Sequence, residues 1–203
     1  MRESPWFNLI FMFIITAILT GILSGIYEYT KPIIQTNEDI AIKKAHLYAF
    51  NIEYPADASP GEIEKIYHDK IQVETTDETQ VYVAKDRDGK PEAYGFTFAG
   101  GALWGEIEGI IVLSPDLKKV IGLDFTEQNE TPGLGGRIDE PEFKEQFRGV
   151  ELNSEGAPLT YRTTSQSGQI DAITGATLTS NSVLEIINKT IEGAKKSIGG
   201  DEG

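Results

Sequence analysis

The hydrophobic positions of the chain are concentrated first in one uninterrupted run near the N-terminus. Residues 6–27 carry no charged side chain over 22 positions. As a helix rising about 1.5 Å per residue, this run would reach about 33 Å, enough to cross a hydrocarbon core about 30 Å thick. A cleaved signal peptide has a shorter apolar core followed by a small-residue cleavage site. We therefore expect residues 1–30 to form a retained, single-span membrane anchor.

The charges on either side of this run predict its orientation only weakly. Arg2 and Glu3 precede it, and Glu28 and Lys31 follow it. The segment before the run is too short to be a domain, and the usual outcome is that the short end stays inside. We expect the large soluble part to lie on the extracytoplasmic side of the cell membrane.

The chain after the anchor changes from apolar to mixed composition. Ala41, Ala45 and Tyr48 recur at helical spacing, which predicts a helix leading away from the anchor. Residues 51–61 are rich in Pro, Gly, Ser and Asp and predict a loop. We therefore expect residues 31–60 to form a helical linker and loop, whereas residues 62–80 are polar and fit either a helix or a strand.

From Val81 onward, short strand-like segments alternate with turn residues. Residues 81–84 and 93–98 flank the turn sequence Asp-Arg-Asp-Gly, which predicts a first hairpin. Residues 107–113 and 120–125 flank Ser-Pro-Asp and predict a second one. A further strand is possible over residues 159–162. Neighbouring hairpins of this kind favour an antiparallel sheet.

Two helical segments follow the strands. Residues 141–147 predict a short helix, and residues 180–198 predict an amphipathic helix with its apolar side chains on one face. Ser182 and Glu185 have the spacing of a capping box at the start of the second helix, and Gly199-Gly200 would end it. We therefore predict an α+β fold, in which residues 61–203 form one domain with a mostly antiparallel sheet and packed helices.

Charge and residue usage exclude several functions. The formal net charge of −14 disfavours nucleic acid as a partner, because phosphate backbones repel an acidic surface. There is no cysteine, which removes disulfide, thiolate and iron–sulfur chemistry. The two histidines, His46 and His68, do not form a metal-site pattern, and we interpret them as surface or packing residues. Any redox chemistry would need an organic cofactor.

Two segments contain more glycine or hydroxyl groups than a turn or a helix cap requires. Residues 130–136 read Glu-Thr-Pro-Gly-Leu-Gly-Gly, a sequence that allows positive φ angles and a close approach of backbone to a ligand. Residues 171–180 precede the last helix, whose first N–H groups would favour an anion. Local reasoning leaves two readings open for each segment. The first segment is either an ordinary loop or a ligand-binding loop. The second segment is either a helix start capped by Thr179, Ser180 or Ser182, or a phosphate site.

The second segment resembles a known modification motif. Asp171-x-x-Thr174-Gly175-Ala176-Thr177 is similar to the flavinylation motif of FMN-binding domains, which occur in the Rnf complex G subunit and the sodium-pumping quinone reductase C subunit. The Glu-Thr-Pro-Gly-Leu-Gly run over residues 130–135 and the Ala-Leu-Trp-Gly run over residues 102–105 also resemble segments of that family. The order of the anchor and the three segments matches the family's layout.

This resemblance implies the cofactor and its contacts. In that family, a flavin transferase moves FMN from FAD onto the hydroxyl of the last threonine of the motif, which is Thr177 here. Asp171 is expected to help recognition or metal binding during the transfer. No catalytic residue and no metal ligand is expected. The other residues implied to contact the flavin are Trp104, Glu130, Thr131, Gly133, Leu134, Gly135, Thr174, Gly175, Ala176, Leu178 and Thr179.

The resemblance also implies a role in a membrane complex. Our first expectation is an electron-transfer subunit of an ion-translocating Rnf-type ferredoxin:NAD oxidoreductase, with other subunits of the complex and a flavin transferase as partners. The alternatives are the C subunit of a Na⁺-translocating NADH:quinone reductase and an anchored FMN-binding module that senses redox state. A structural stalk that has lost its flavin fits less well, because the motif around Thr177 is intact.

Overall fold

The computed structural model describes residues 5–76, 79–154, 156–162 and 169–199. Arg2, Glu3 and Gly200, which entered the predictions of orientation and helix end, lie outside these ranges. The chain forms two compact units, Met1–Ile40 and Ala41–Gly203.

The first unit consists of most of helix α1, which runs from Pro5 to Ala49. The apolar run near its N-terminus has exposed side chains throughout. The helix is long and apolar enough to cross a membrane, which agrees with the predicted anchor. The chain stays helical through Pro32, so the predicted anchor and the predicted linker helix belong to one continuous helix.

The second unit begins with the last turns of α1 and helix α2, Pro60–Lys70. Ser59 begins α2 with a capping box, in which its hydroxyl accepts from the Glu62 N–H and the Glu62 carboxylate accepts from the Ser59 N–H. Ile63 and Tyr67 are buried on the inner face of α2. Strand β1, Ile71–Thr76, follows directly. The segment left ambiguous by its sequence is therefore a helix followed by a strand.

Five strands form one antiparallel sheet in the order of the chain, β1-β2-β3-β4-β5. The strands after β1 have these bounds: β2 Thr79–Lys85, β3 Pro91–Gly101, β4 Glu106–Leu113 and β5 Val120–Glu127. Both predicted hairpins are present, with β2 paired to β3 and β4 paired to β5. The antiparallel α+β class predicted from the alternating pattern is confirmed.

Helices cover both faces of this sheet. A Cβ added at Gly100 would come within 2.6 Å of Ile186, which lies on the last helix, α4. A Cβ added at Gly95, on the opposite face of the same strand, would come within 2.8 Å of Phe50, just after α1. Glycine at these two positions lets a helix on one face and a buried aromatic ring on the other approach the strand backbone closely.

The chain after β5 is mostly short helical turns until α4. A 3₁₀ turn over Gly135–Asp139 leads to α3, Pro141–Lys144, and a second 3₁₀ turn, Glu145–Phe147. Ile138, Phe143 and Phe147 bury their side chains in the core. The short helix predicted over residues 141–147 is therefore present, with its second half in 3₁₀ form.

Two predictions about the C-terminal part are wrong. Helix α4 runs over Thr177–Gly199, so Ser182 lies inside it and forms no capping box there. Residues 159–162 form no strand; the structure has only an isolated bridge between Tyr161 and Ile170. The hydroxyl-rich segment had the composition of a cap, but the helix starts three residues earlier than its apolar periodicity indicated.

Candidate functional site

Thr177 is the first residue of α4, and its side chain is exposed. Gly175, two residues earlier, has a φ angle of +83°, a conformation that glycine adopts at little cost. No hydrogen bond among the described residues uses the backbone N–H of Thr177, Leu178 or Thr179. A helix start with free N–H groups and a positive dipole end favours an anionic group beside Thr177.

The structure separates the four hydroxyl groups of this segment. Thr174 and Thr177 are exposed, whereas Thr179 and Ser180 are 1% and 0% exposed. The Thr179 hydroxyl donates to Glu130, and the Ser180 hydroxyl accepts from the N–H of Ile173. Neither hydroxyl caps the helix, so that local interpretation was wrong. Only Thr174 and Thr177 offer a hydroxyl that a second protein could reach.

Glu130 connects three separate parts of the chain. Its Oε2 accepts from the Thr179 hydroxyl at 2.6 Å, and its Oε1 accepts from the backbone N–H of Trp104 at 2.9 Å. The Gln128 side chain accepts from the Glu130 N–H. Glu130 is only 5% exposed. We call this set of Glu130, Thr179 and the Trp104 N–H the Glu130 clamp.

The glycine-rich loop packs against this clamp. A Cβ added at Gly135 would lie 2.6 Å from Oγ1 of Thr179 and 2.7 Å from Oε2 of Glu130. The Thr131 carbonyl accepts from the N–H groups of Leu134 and Gly136, which closes the loop on itself. Gly133 has a φ of +74° with open space where a Cβ would stand, so it serves the turn.

Exposed apolar side chains lie on the segments that carry the site residues. Trp104 is 69% exposed and Leu178 is 63% exposed, and Leu103 and Leu134 are also exposed. The Leu134 side chain lies beside Gly175, at 3.6 Å from the position of an added Cβ. Large apolar side chains exposed on segments that meet near a helix start are typical of a ligand or partner surface.

Asp171, the first residue of the motif, lies on the exposed side of the same loop. Its carboxylate accepts from Arg162 at 2.7 Å, and its backbone N–H donates to the Gln146 side chain. Tyr161 donates to the Ser180 carbonyl at 2.6 Å, and burial raises the pKa of its phenol. Sequence reasoning missed Arg162, Gln146 and Tyr161 because nothing local marks them.

These residues fit a flavin mononucleotide. The helix start can receive the phosphate, and the leucines and Trp104 can receive an apolar aromatic ring system. The residues predicted to contact the flavin converge here through the Glu130 clamp and the Leu134–Gly175 contact. Among the described residues, no group of three or more His, Cys, Asp or Glu side chains could hold a metal ion. The site has the chemistry expected of a flavin-nucleotide-binding domain.

Comparison with known families agrees with this class. Residues 102–192 match the family model described as FMN-binding domain, a range that includes Trp104, Glu130 and Thr177. This segment of the chain is similar to the FMN-binding domains that the family model describes. The predicted family resemblance is confirmed, and FMN is the cofactor that this family binds.

Curated relatives identify the branch that the chain resembles. It is 34% identical over 110 residues to the C subunit of the Na(+)-translocating NADH-quinone reductase of Neisseria meningitidis serogroup A, covering 52% of this chain and 43% of the relative. It is 37% identical over 109 residues to the C subunit of the same enzyme in Pasteurella multocida, covering 51% and 42%. The matched region thus spans less than half the length of these relatives.

Two solved structures are also similar to this chain. The C subunit of the Na(+)-translocating NADH-quinone reductase of Parabacteroides distasonis matches with a TM-score of 0.69 and 27% identity, covering 83% of this chain and 96% of the other. The NqrC protein of Shewanella oneidensis matches with a TM-score of 0.60 at 18% identity, over 76% and 95%, which supports the fold alone. These relatives favour the quinone reductase alternative over our first expectation of an Rnf subunit.

Proposed function

We propose that this chain is a membrane-anchored electron-transfer subunit that carries FMN covalently on Thr177. The observation that supports this proposal most directly is the position of Thr177. It is exposed, it begins a long helix whose first N–H groups have no hydrogen-bond partner among the described residues, and the exposed Leu178 follows it directly. The similar motif in the FMN-binding domain family agrees with this position.

The attachment reaction that we propose transfers the FMN half of FAD to the hydroxyl of Thr177. The Thr177 oxygen forms a bond to the phosphorus of the FMN half of FAD, the pyrophosphate bond breaks, and AMP leaves. The threonine proton must go to a base, because a hydroxyl is a weak nucleophile at its ordinary pKa. No carboxylate or imidazole among the described residues hydrogen-bonds to Thr177. A separate flavin transferase would therefore supply the base.

The residues around Thr177 would serve the attached group in different ways. Gly175 and Thr174 form an exposed turn that leaves room for the transferase. The N–H groups at the start of α4 would stabilise the remaining phosphate charge. Trp104 and Leu134 would contact the ring system, which supplies the redox chemistry. Asp171 is exposed beside Arg162 and is available for recognition by the transferase.

We further propose that the complex is a Na⁺-translocating NADH:quinone reductase. The relatives that carry that name support this choice. Residues 6–27 would anchor the chain, and the unit from Ala41 onward would lie on the extracytoplasmic side. A single helix cannot enclose an ion path, so the partner proteins would conduct the ion while this chain passes electrons.

The attachment site is tested on the full chain, produced with a flavin transferase and separated on a denaturing gel. Under ultraviolet light we expect a fluorescent band that disappears in Thr177→Ala. Thr174→Ala is the matched control, because Thr174 is the other exposed hydroxyl of the segment, and it should keep the fluorescence. A dark wild-type band, or loss in Thr174→Ala with retention in Thr177→Ala, would refute attachment at Thr177.

Membership of the complex is tested by affinity purification of the tagged full chain from native membranes in mild detergent. The expected result is a multi-protein assembly that oxidises NADH with a quinone as acceptor and depends on Na⁺. An assembly that reacts with ferredoxin instead would support the Rnf-type complex. Recovery of the chain without partner proteins from the same detergent extract would favour a redox-sensing module.

A further inference from the structure

Glu130 is a buried carboxylate side chain with two neutral hydrogen-bond partners. One carboxylate oxygen accepts a hydrogen bond from the Thr179 hydroxyl, and the other accepts one from the Trp104 N–H. No Lys, Arg or His side chain among the described residues forms an ion pair with it. A charge in this setting is less screened than one on the surface.

The position of this charge relates it to the proposed flavin. Its hydrogen-bond partner Thr179 lies two residues after Thr177, in the first turn of α4. Its other partner is the backbone of Trp104, whose side chain is 69% exposed. The carboxylate therefore lies between the helix that would carry the flavin and a residue that would contact its ring.

We propose that Glu130 is a positioning residue which also lowers the reduction potential of the flavin on Thr177, an inference that rests on the proposed function. Adding electrons to a group near a buried negative charge is unfavourable, because the repulsion acts through a medium of low dielectric constant. The hydrogen bonds from Thr179 and Trp104 hold the carboxylate in place and partly offset its charge. The local sequence of the glycine-rich loop gives no indication of this role.

The charge effect predicts opposite shifts for two substitutions. Glu130→Gln removes the charge and keeps an acceptor oxygen, so the midpoint potential of the flavin should rise. Thr179→Val has nearly the same shape as threonine but removes the donor at 2.6 Å, so the remaining charge is less offset and the potential should fall. If the two substitutions only loosened the site, the midpoint potential should shift in the same direction in both variants.

The test is a spectroelectrochemical titration of the full-length flavinylated protein in detergent. Glu127→Gln is the matched control, because it removes the same charge from an exposed position three residues away, and it should leave the potential unchanged. Thr179→Ser, which keeps the hydroxyl, should have the wild-type potential. Thermal unfolding of the unflavinylated chains shows whether each variant retains the fold.

The two shifts together decide whether Glu130 has this role. A rise in Glu130→Gln with a fall in Thr179→Val supports it. A fluorescent Glu130→Gln protein with the wild-type potential, or equal shifts in Glu130→Gln and Glu127→Gln, overturns it and leaves the proposed attachment standing. If Glu130→Gln does not fold, the direction of the Thr179→Val shift decides. A dark wild-type band overturns both the proposed function and this inference.

Discussion

The backbone of Gly135 lies against the side chain of Glu130, so that a Cβ atom at position 135 would stand 2.7 Å from the carboxylate oxygen Oε2. The same atom would stand 2.6 Å from the hydroxyl of Thr179. Both neighbours are buried and hydrogen-bonded to each other, so neither can move without breaking that bond. The glycine-rich loop and the first turn of α4 are therefore packed as one piece.

The first prediction concerns this contact. Gly135→Ala should reduce the free energy of unfolding by about 1–3 kcal/mol, the usual cost of inserting a methyl group into a filled space. It should also reduce flavin attachment, because α4 begins at Thr177 next to the displaced residues. Urea unfolding and in-gel fluorescence measure the two effects.

Gly61 provides the matched control for that substitution. It lies in the first turn of α2 with no atom within 4 Å of the position of an added Cβ. Gly61→Ala should raise the free energy of unfolding by about 0.4–1 kcal/mol, because alanine restricts the unfolded chain. Equal effects of the two substitutions would contradict the close packing at Gly135.

The second prediction concerns the ion pair between Lys144 and Asp124. The two side chains are 13% and 12% exposed and lie 2.6 Å apart. Burial raises the pKa of Asp124, and the lysine opposes that rise. Lys144→Met should reduce the free energy of unfolding by about 3–5 kcal/mol, because it leaves a buried charge without its partner. Chemical denaturation near pH 7 measures the loss.

The exposed pair of Arg137 and Glu140 is the control for this effect. Its side chains are 42% and 44% exposed, and exposed pairs contribute about 0–1 kcal/mol. Arg137→Met should therefore change the free energy of unfolding by no more than about 1 kcal/mol. If Lys144→Met also lowered the free energy of unfolding by no more than about 1 kcal/mol, Asp124 would have to be solvated in solution.

The third prediction concerns the pH dependence of stability. His46 lies in the compact unit outside the apolar run, buried beside Tyr67 and Tyr82. Burial lowers its pKa from 6.5 to about 4. Between these two values the unfolded chain binds a proton that the folded chain does not, so stability is present above pH 6.5 and is lost as the pH falls towards 4.

The size of this effect can be measured by substitution. The shift corresponds to up to about 3 kcal/mol between pH 7 and pH 4. His46→Gln should remove that part of the pH dependence, whereas His68→Gln, at the exposed histidine, should retain it. Thermal unfolding scans across this range make the comparison, and parallel pH profiles for wild type and His46→Gln would contradict a buried neutral imidazole.

The fourth prediction separates the backbone of Trp104 from its ring. The hydrogen bond from Trp104 to Glu130 comes from its backbone N–H, and its side chain is 69% exposed. Trp104→Ala should therefore keep both the fold and the covalent flavin while removing an apolar contact of the ring system. We expect the bound flavin to become more accessible to iodide quenching. Loss of attachment in this variant would show that the ring is needed by the transferase.

Much of the fold was predictable because it depends on local patterns. The two hairpins around residues 86–89 and 114–116 follow from alternating side chains separated by turn sequences. The candidate membrane span follows from the length and apolarity of its run. The position of Thr177 as the attachment candidate came from a resemblance in sequence, and it remains a proposal.

The beginning of α4 was not predictable in the same way. Its first turn, from Thr177, contains hydroxyl residues that favour caps and turns, so the apolar periodicity indicated a start at Ser180. The helix extends further because Thr179 and Ser180 use their hydroxyl groups in buried contacts with Glu130 and Ile173. Tertiary contacts thus overrode the local preference of this turn.

The sequence by itself determined the apolar anchor segment, the antiparallel hairpins, the absence of cysteine chemistry and the family that the motifs resemble. Only the tertiary structure decided which hydroxyl groups are accessible and what Glu130 contacts. The physical reason is distance along the chain. Glu130 bonds to residues 26 positions before it and 49 positions after it, and local periodicity carries no information about contacts that form only when the loop and the helix pack together.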